Sequence, residues 1–388
     1  MRVPSDLKRK KHSQMKKIFF LAVPALVAGA AIISSCKKHE PCVKHNEQEP
    51  DINYSYNYEA VASTAALNGH TITNAGARLG RILFYDTRLS ANNTIACASC
   101  HKQELAFSDN VSFSTGFNGG FTGRNSMPVI NTIQSKGFFW DHRTTHLEDM
   151  VLQPIKHQVE MGLDNTDFLI KKLNATSFYP RLFNEAFGTT DISRENIGKA
   201  LAEFLYSMFA VNSKADQAGV INGGGWGGPS NILNTDEQRG AQLFSQNGCT
   251  NCHAGSNLRG WNDEGFENIG LDAVYADRGL GALLNDPTKD GQFKIPSLRN
   301  VGLTAPYMHD GRYKTLDEVV EHYNSGIIYS DNLSMMLRAR DPQTYQYTNE
   351  PVRMNMTDND KKCLVAFLKT LTDASITTDP KFSDPFKK

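Results

Sequence analysis

The chain has 388 residues, 40% of them apolar and 21% charged, the balance of a folded protein large enough for two domains rather than a disordered one. Lys plus Arg and Asp plus Glu both number 41, and no basic stripe interleaved with aromatics occurs, which excludes a nucleic-acid partner. Seven cysteines in a chain of this length exclude a small disulfide-stapled scaffold.

The first predicted element is a leader, residues 1–36. Lys16 and Lys17 precede an apolar run from Ile18 to Ile33, which Ser34, Ser35 and Cys36 close. That pattern predicts a secretory signal, too short and wrongly flanked for a membrane span, with Met15 as an alternative start. The small residues before Cys36 resemble the lipobox of bacterial lipoproteins. The expectation is a periplasmic protein tied to a membrane by a lipid on Cys36. Residues 37–58 are polar and predict a flexible tether.

Residues 59–221 make the next unit. Ala77 to Phe84 reads as a short amphipathic helix leading toward Cys97, and Ser193 with Asn196 opens a helix from Ile197 to Phe209. Residues 222–230, with five glycines and a proline, predict a linker. Residues 231–388 then repeat the first opening. Gly240 to Phe244, capped by Thr235 or Asp236, leads toward Cys249, which predicts an internal duplication. Thr315 caps a helix from Leu316 to Tyr323, and Thr357 with Asp358 opens a last helix that buries Leu364, Val365, Phe367, Leu368 and Leu371. No long alternating strand run competes.

Cys97-Ala-Ser-Cys100-His101 and Cys249-Thr-Asn-Cys252-His253 carry the strongest chemical signal. Two thiols at this spacing can add across the two vinyl groups of one haem, and the adjacent His then lies beneath the iron. A zinc ribbon and a thioredoxin-type dithiol are the competing readings. The first needs no His after each pair, and the second needs only one pair. The expected fold class is therefore mainly α, two cytochrome c-like domains each wrapping one covalently bound c-type haem.

Beyond the two motifs, the chain carries Leu79-Gly-Arg-Ile-Leu-Phe-Tyr-Asp-Thr-Arg-Leu-Ser90, Gly123-Arg-Asn-Ser-Met-Pro128 and Phe139-Trp-Asp-His-Arg143. Glu160-Met-Gly162, Lys294-Ile-Pro-Ser-Leu-Arg-Asn300 and Thr304-Ala-Pro-Tyr-Met-His-Asp-Gly-Arg312 follow. Jointly these resemble the bacterial dihaem cytochrome c peroxidase and MauG family over residues 75–372. The resemblance implies a peroxidatic first haem on His101 and an electron-relaying second haem on His253. It implies that Glu160, 20 residues beyond Trp140, is the distal acid–base carboxylate, and that Trp140 couples the two haems. Asn125, Thr304 and Pro306 match positions that supply oxygen ligands to a calcium ion.

Two departures stand out. Many members place a His about 16 residues beyond the first haem His, closing the iron's sixth position; here Phe117 stands there, which predicts an open first haem. Members with a Met ligand to the second haem place it where this chain has Tyr323, the MauG arrangement, with Met308 and His322 as rivals. Met150 also stands where relatives often have Gln. The implied activity is reduction of hydrogen peroxide with electrons from a small cytochrome c or cupredoxin. MauG-like oxidation of a protein or organic substrate and plain electron transfer are the alternatives, and a homodimer is compatible with each. Cys42 lies in the tether and is not expected to pair with Cys363.

Overall fold

A computed structural model describes residues 48–387 except 53–55, 60–69, 222–230 and 256–264. The expected leader, its Cys36, Cys42 and the Gly-rich linker lie outside the described residues. Among the described residues, no helix is long and apolar enough to cross a membrane.

The first half rests on α1 (Asn74–Tyr85), α2 (Thr166–Asn174), α3 (Tyr179–Phe187) and α4 (Arg194–Tyr206); the second rests on α5 (Thr235–Gln246), α6 (Leu316–Glu321) and α7 (Asp358–Thr370). Side-chain caps set most starts. Ser193 accepts from the Asn196 amide at α4 and Thr357 from the Asp360 amide at α7, as the sequence predicts. At α5 the cap is Asn234, not Thr235 or Asp236, because Glu237 three residues on returns a hydrogen bond to the Asn234 amide. α6 also ends earlier than expected, at Glu321, and the chain widens into a π turn over His322–Gly326. The strands are short: β1 (Phe266–Glu267) pairs antiparallel with β2 (Phe293–Lys294), and β3 (Arg338–Arg340) with β4 (Tyr347–Pro351).

The duplication appears in the helix crossings. A Cβ on Gly80 of α1 would lie 1.9 Å from the Ala200 carbonyl oxygen of α4, and one on Gly240 of α5 would lie 2.0 Å from that of Cys363 on α7. Both glycines therefore let two backbones touch. One turn further, Phe84 meets Phe204 at 5.4 Å between ring centroids, and Phe244 meets Phe367 at 5.5 Å. Each such buried ring stabilises by roughly 1.5–3 kcal/mol. Cys363 occupies in the second half the place of Ala200 in the first, so its burial is a packing role.

Two expected boundaries do not hold. Tyr58, placed at the end of the tether, is 1% exposed, and its hydroxyl donates to the Lys381 carbonyl. Residues beyond 372, assigned to the second domain, cross back: Ile376 and Phe382 are buried in the first half's core beside Phe84, Phe107 and Phe204. The physical reason is that Phe382 and Tyr58 find apolar cover in that core. Both halves lie within one compact unit, residues 47–388.

Candidate functional site

Each Cys-x-x-Cys-His motif folds as a single 3-10 turn, over Cys97–Ser99 and Cys249–Asn251, that ends on its histidine. The His101 amide donates to the Cys97 carbonyl at 3.0 Å, and the His253 amide to the Cys249 carbonyl at 2.8 Å. In this turn both thiols and the imidazole of one motif are held together. None of the four thiols is in a disulfide. Burial pushes Cys97 and Cys249 up to about 12 and Cys100 and Cys252 up to about 11, so all four are neutral thiols. Among the described residues no three His, Cys, Asp or Glu side chains converge to hold a metal, so the four thiols do not form a zinc ribbon. His101 Nδ1 lies 3.1 Å from the Phe107 carbonyl, an interaction that favours a proton on Nδ1 and a lone pair on Nε2. Burial also lowers the pKa of His101, keeping a neutral donor nitrogen. This donor set fits one covalently held haem per motif.

The segment across from the first motif is built by two interlocked turns. The Phe117 amide donates to the Glu160 carbonyl at 3.0 Å. A Cβ on Gly162, whose φ is 71°, would meet the Phe117 ring at 2.2 Å, so the ring lies flush on that glycine. Phenylalanine at this position thus packs and offers no ligand. Burial is the main cause that raises Cys97 and Cys100, and the Glu160 carboxylate lies near enough to the first motif for its charge to add to both. Burial raises the pKa of Glu160, while His157 and then Arg143 pull it back down. A cavity of about 290 Å³ opens from Glu160 to solvent between Arg143, Lys156, His157 and Arg194. Sequence reasoning missed His157 and Arg143 as members of this wall. The three-residue spacing of His157 from Glu160 was the one available signal.

Trp140 lies on the seam between the halves. Its indole Nε1 donates to the Asn125 carbonyl at 2.9 Å, and its own carbonyl accepts from the Lys294 amide at 2.8 Å. Arg124 clamps the same seam, with Nη1 2.6 Å from Asp141 Oδ2 and Nε 2.6 Å from Asp277 Oδ2. The three expected calcium positions border this seam. The Asn125 side-chain amide donates to the Val111 carbonyl, and its backbone amide donates to the His309 carbonyl at 2.7 Å. Thr304 ends a 3-10 turn, and Pro306 follows a cis peptide bond.

Tyr323 is the second residue of the π turn. Burial raises the pKa of its phenol well above the ordinary value, with Cys252 and Cys249 adding to the rise. An ionised Tyr323 therefore requires a cation at its oxygen. His322 points elsewhere: Nδ1 lies 3.1 Å from the Tyr313 hydroxyl and Nε2 2.9 Å from the Ile269 carbonyl. With both ring nitrogens engaged, His322 drops out as a rival ligand. Met308 sits in a left-handed turn, its carbonyl accepting from the Gly311 amide at 3.2 Å.

Comparison with known proteins agrees with this arrangement. The family profile described as di-haem cytochrome c peroxidase matches residues 74–223, and that described as cytochrome c matches residues 237–372; together they indicate two c-type haems. The methylamine utilization protein MauG of Methylorubrum extorquens is 29% identical over 361 residues, covering 90% of this chain and 95% of that protein. The cytochrome c551 peroxidase of Nitrosomonas europaea is 33% identical over 251 residues, 63% of this chain and 71% of that protein. A solved MauG-like protein associated with microbial copper homeostasis superposes with a TM-score of 0.70 at 32% identity, covering 83% of this chain and 96% of that one.

Proposed function

Since the chain belongs to the di-haem cytochrome c peroxidase and MauG family, and so to the oxidoreductases, we propose that it reduces hydrogen peroxide to water at the haem held by Cys97, Cys100 and His101. The carrying observation is the pairing of Phe117, packed on Gly162, with Glu160 on the adjoining turn, whose carbonyl accepts from the Phe117 amide. A haem bound there would supply the redox chemistry of peroxide reduction. The thiols of Cys97 and Cys100 fix the porphyrin, and His101, oriented by the Phe107 carbonyl, ligates its iron. Glu160 takes the proton from one peroxide oxygen and returns it to the other, a role suited to a partly buried carboxyl whose pKa is raised. Trp140, bonded to both halves, couples the second site, held by Cys249, Cys252 and His253, to the first. Electrons enter there from a small cytochrome c or cupredoxin. Asn125, Thr304 and Pro306 supply oxygen ligands to a calcium ion at the seam. Cys36 carries the lipid that holds the protein at a periplasmic membrane face, a reading supported by residues 16–36 alone.

Tyr323 favours a second reading. If Tyr323 ligated the second haem as a phenolate, it would be a hard anionic ligand that favours oxidised iron, which would suit oxidation of a protein or organic substrate through Trp140. Met308 is the remaining rival at that position.

The test mixes hydrogen peroxide with the oxidised protein and follows its optical spectrum. A spectral change within the mixing time scale, without prior reduction, is the expected result. A requirement for reduction, or an unchanged rate in Glu160→Gln where a loss of about 100-fold or more is expected, overturns the proposal. Turnover with a reduced cytochrome separates the peroxidase from the substrate oxidase.

A further inference from the structure

We propose that His157 is a positioning residue that carries protons between solvent and Glu160 and acts through that carboxylate. The inference rests on the reading of Glu160 as the acid–base group of the first site. Its basis is geometric. His157 Nδ1 stands 3.5 Å from Glu160 Oε1, with the imidazole 50% exposed and the carboxylate 28% exposed. The imidazole therefore stands further out into water than the carboxylate, on the same cavity wall. A turn holds the pair from both sides: the Gly162 amide donates to the His157 carbonyl at 2.9 Å, and the Phe117 amide to the Glu160 carbonyl at 3.0 Å. The separation lies just beyond the direct transfer limit of about 3.2 Å, and a small side-chain rotation closes it.

The other groups around the cavity cannot do this work. Arg143 is committed to Asp141 at 3.0 Å and to Gln153 at 3.2 Å, and a guanidinium does not release its proton. Arg194 is likewise a permanent cation, 3.9 Å from Asp149. Lys156, an amine with no second nitrogen through which to pass a proton on, lines the same cavity, and Asp164 on the following loop accepts a hydrogen bond from Gln158. Among the described residues of this wall, His157 is the one imidazole, a ring that can take a proton on one nitrogen and release one from the other.

The reaction needs such a route. Conversion of one peroxide to two waters breaks the O–O bond and consumes two electrons from the redox donor and two protons from solvent. Glu160 alone only moves the peroxide's own proton from one oxygen to the other. The two further protons enter at His157 Nε2, leave from Nδ1 to Glu160 Oε1, and pass to the departing oxygens.

The experiment compares His157→Gln, His157→Ala, Lys156→Gln and Glu160→Gln holoproteins. Steady-state peroxide turnover is expected to fall about tenfold in both His157 variants, with a larger solvent deuterium isotope effect. In His157→Ala, added 2-methylimidazole, whose methyl group hinders iron ligation, restores the rate. A readout independent of turnover is the infrared carboxyl band assigned to Glu160 by its absence in Glu160→Gln. In His157→Gln this band is expected to persist to higher pH, because the neighbouring imidazolium is gone. Lys156→Gln should match the parent in rate and isotope effect. If His157 variants turn over normally while Glu160→Gln is slow, the relay is wrong and the reading of Glu160 stands. An equal loss in Lys156→Gln overturns the relay in favour of a general field effect. Normal turnover in Glu160→Gln overturns the reading of Glu160 and the relay with it.

Discussion

In the first half, the segment facing the cysteine motif presents a carboxylate and a phenylalanine packed on glycine; in the second, it presents a phenol on a π turn. Beneath these segments the halves are close copies. Gly80 and Gly240 occupy matching crossings, and Phe84–Phe204 matches Phe244–Phe367. The difference thus lies in the segments between the motif and the last helix of each half, while the helix pair is a common frame. A duplicated frame can carry two unlike sites because the helices fix the histidine-bearing turn and leave the opposite wall to loops.

The largest expected effect separates the two sites outright. Replacing Cys97 and Cys100 with Ser should abolish the rapid spectral response to peroxide, whereas replacing Cys249 and Cys252 should leave that first response and stop sustained turnover. Equal loss in both, read by stopped flow and steady-state assay, would break the proposed division of labour. Next, Tyr323→Phe should raise the reduction potential of the second haem by about 0.1 V with little change in peroxide reactivity, read by spectroelectrochemistry. An unmoved potential would hand the position to Met308.

The shared frame has its own test. Gly80→Ala and Gly240→Ala each force a Cβ onto a facing carbonyl and should destabilise by about 1–3 kcal/mol in denaturant unfolding. Similar costs sharpen the equivalence of the halves, and a neutral variant in one half breaks it. The smallest effect concerns the seam. Arg124→Ala should cost about 1–2 kcal/mol, a partly buried clamp discounted for solvent screening. Burial opposes ionisation of Asp141 and Asp277, but hydrogen bonds and charge from Arg124 outweigh it, so both carboxyls have lowered pKa values in the folded protein. Their contribution is present above the ordinary carboxylate value of about 3.9 and is lost as pH falls below it toward the folded values. Stability should therefore fall more steeply with acid in the parent, and Arg124→Ala should flatten stability against pH in that window.

The caps at Ser193, Thr315 and Thr357 and both haem motifs were legible because each is a local signal whose partner lies within four residues. The Asn234 cap was legible in principle: of three consecutive candidates, only Asn234 has an acidic residue three positions on. The π turn was not, since helical spacing from Leu316 runs past Glu321 without a breaker. Nor was the return of Ile376 and Phe382, because short 3-10 turns have no periodicity and their partners lie about 300 residues away, as in the Tyr85 hydroxyl bonded to the Phe382 carbonyl. The assignment of Tyr323 and Glu160 to different motifs rests on family likeness, not on periodicity.

That returning segment sets an order of events. Arg81 donates to the Ser383 carbonyl, Gln103 beside the first motif donates to the Asp379 carbonyl, and Phe382 fills the core around Phe84 and Phe107. A ribosome delivers residue 382 after the whole second half. The first half therefore waits, unsealed next to Cys97 and Cys100, through the synthesis of everything that follows it. Attachment machinery that needs an accessible thiol has that interval in which to work, and a stop codon near residue 375 would harm the early site before the late one.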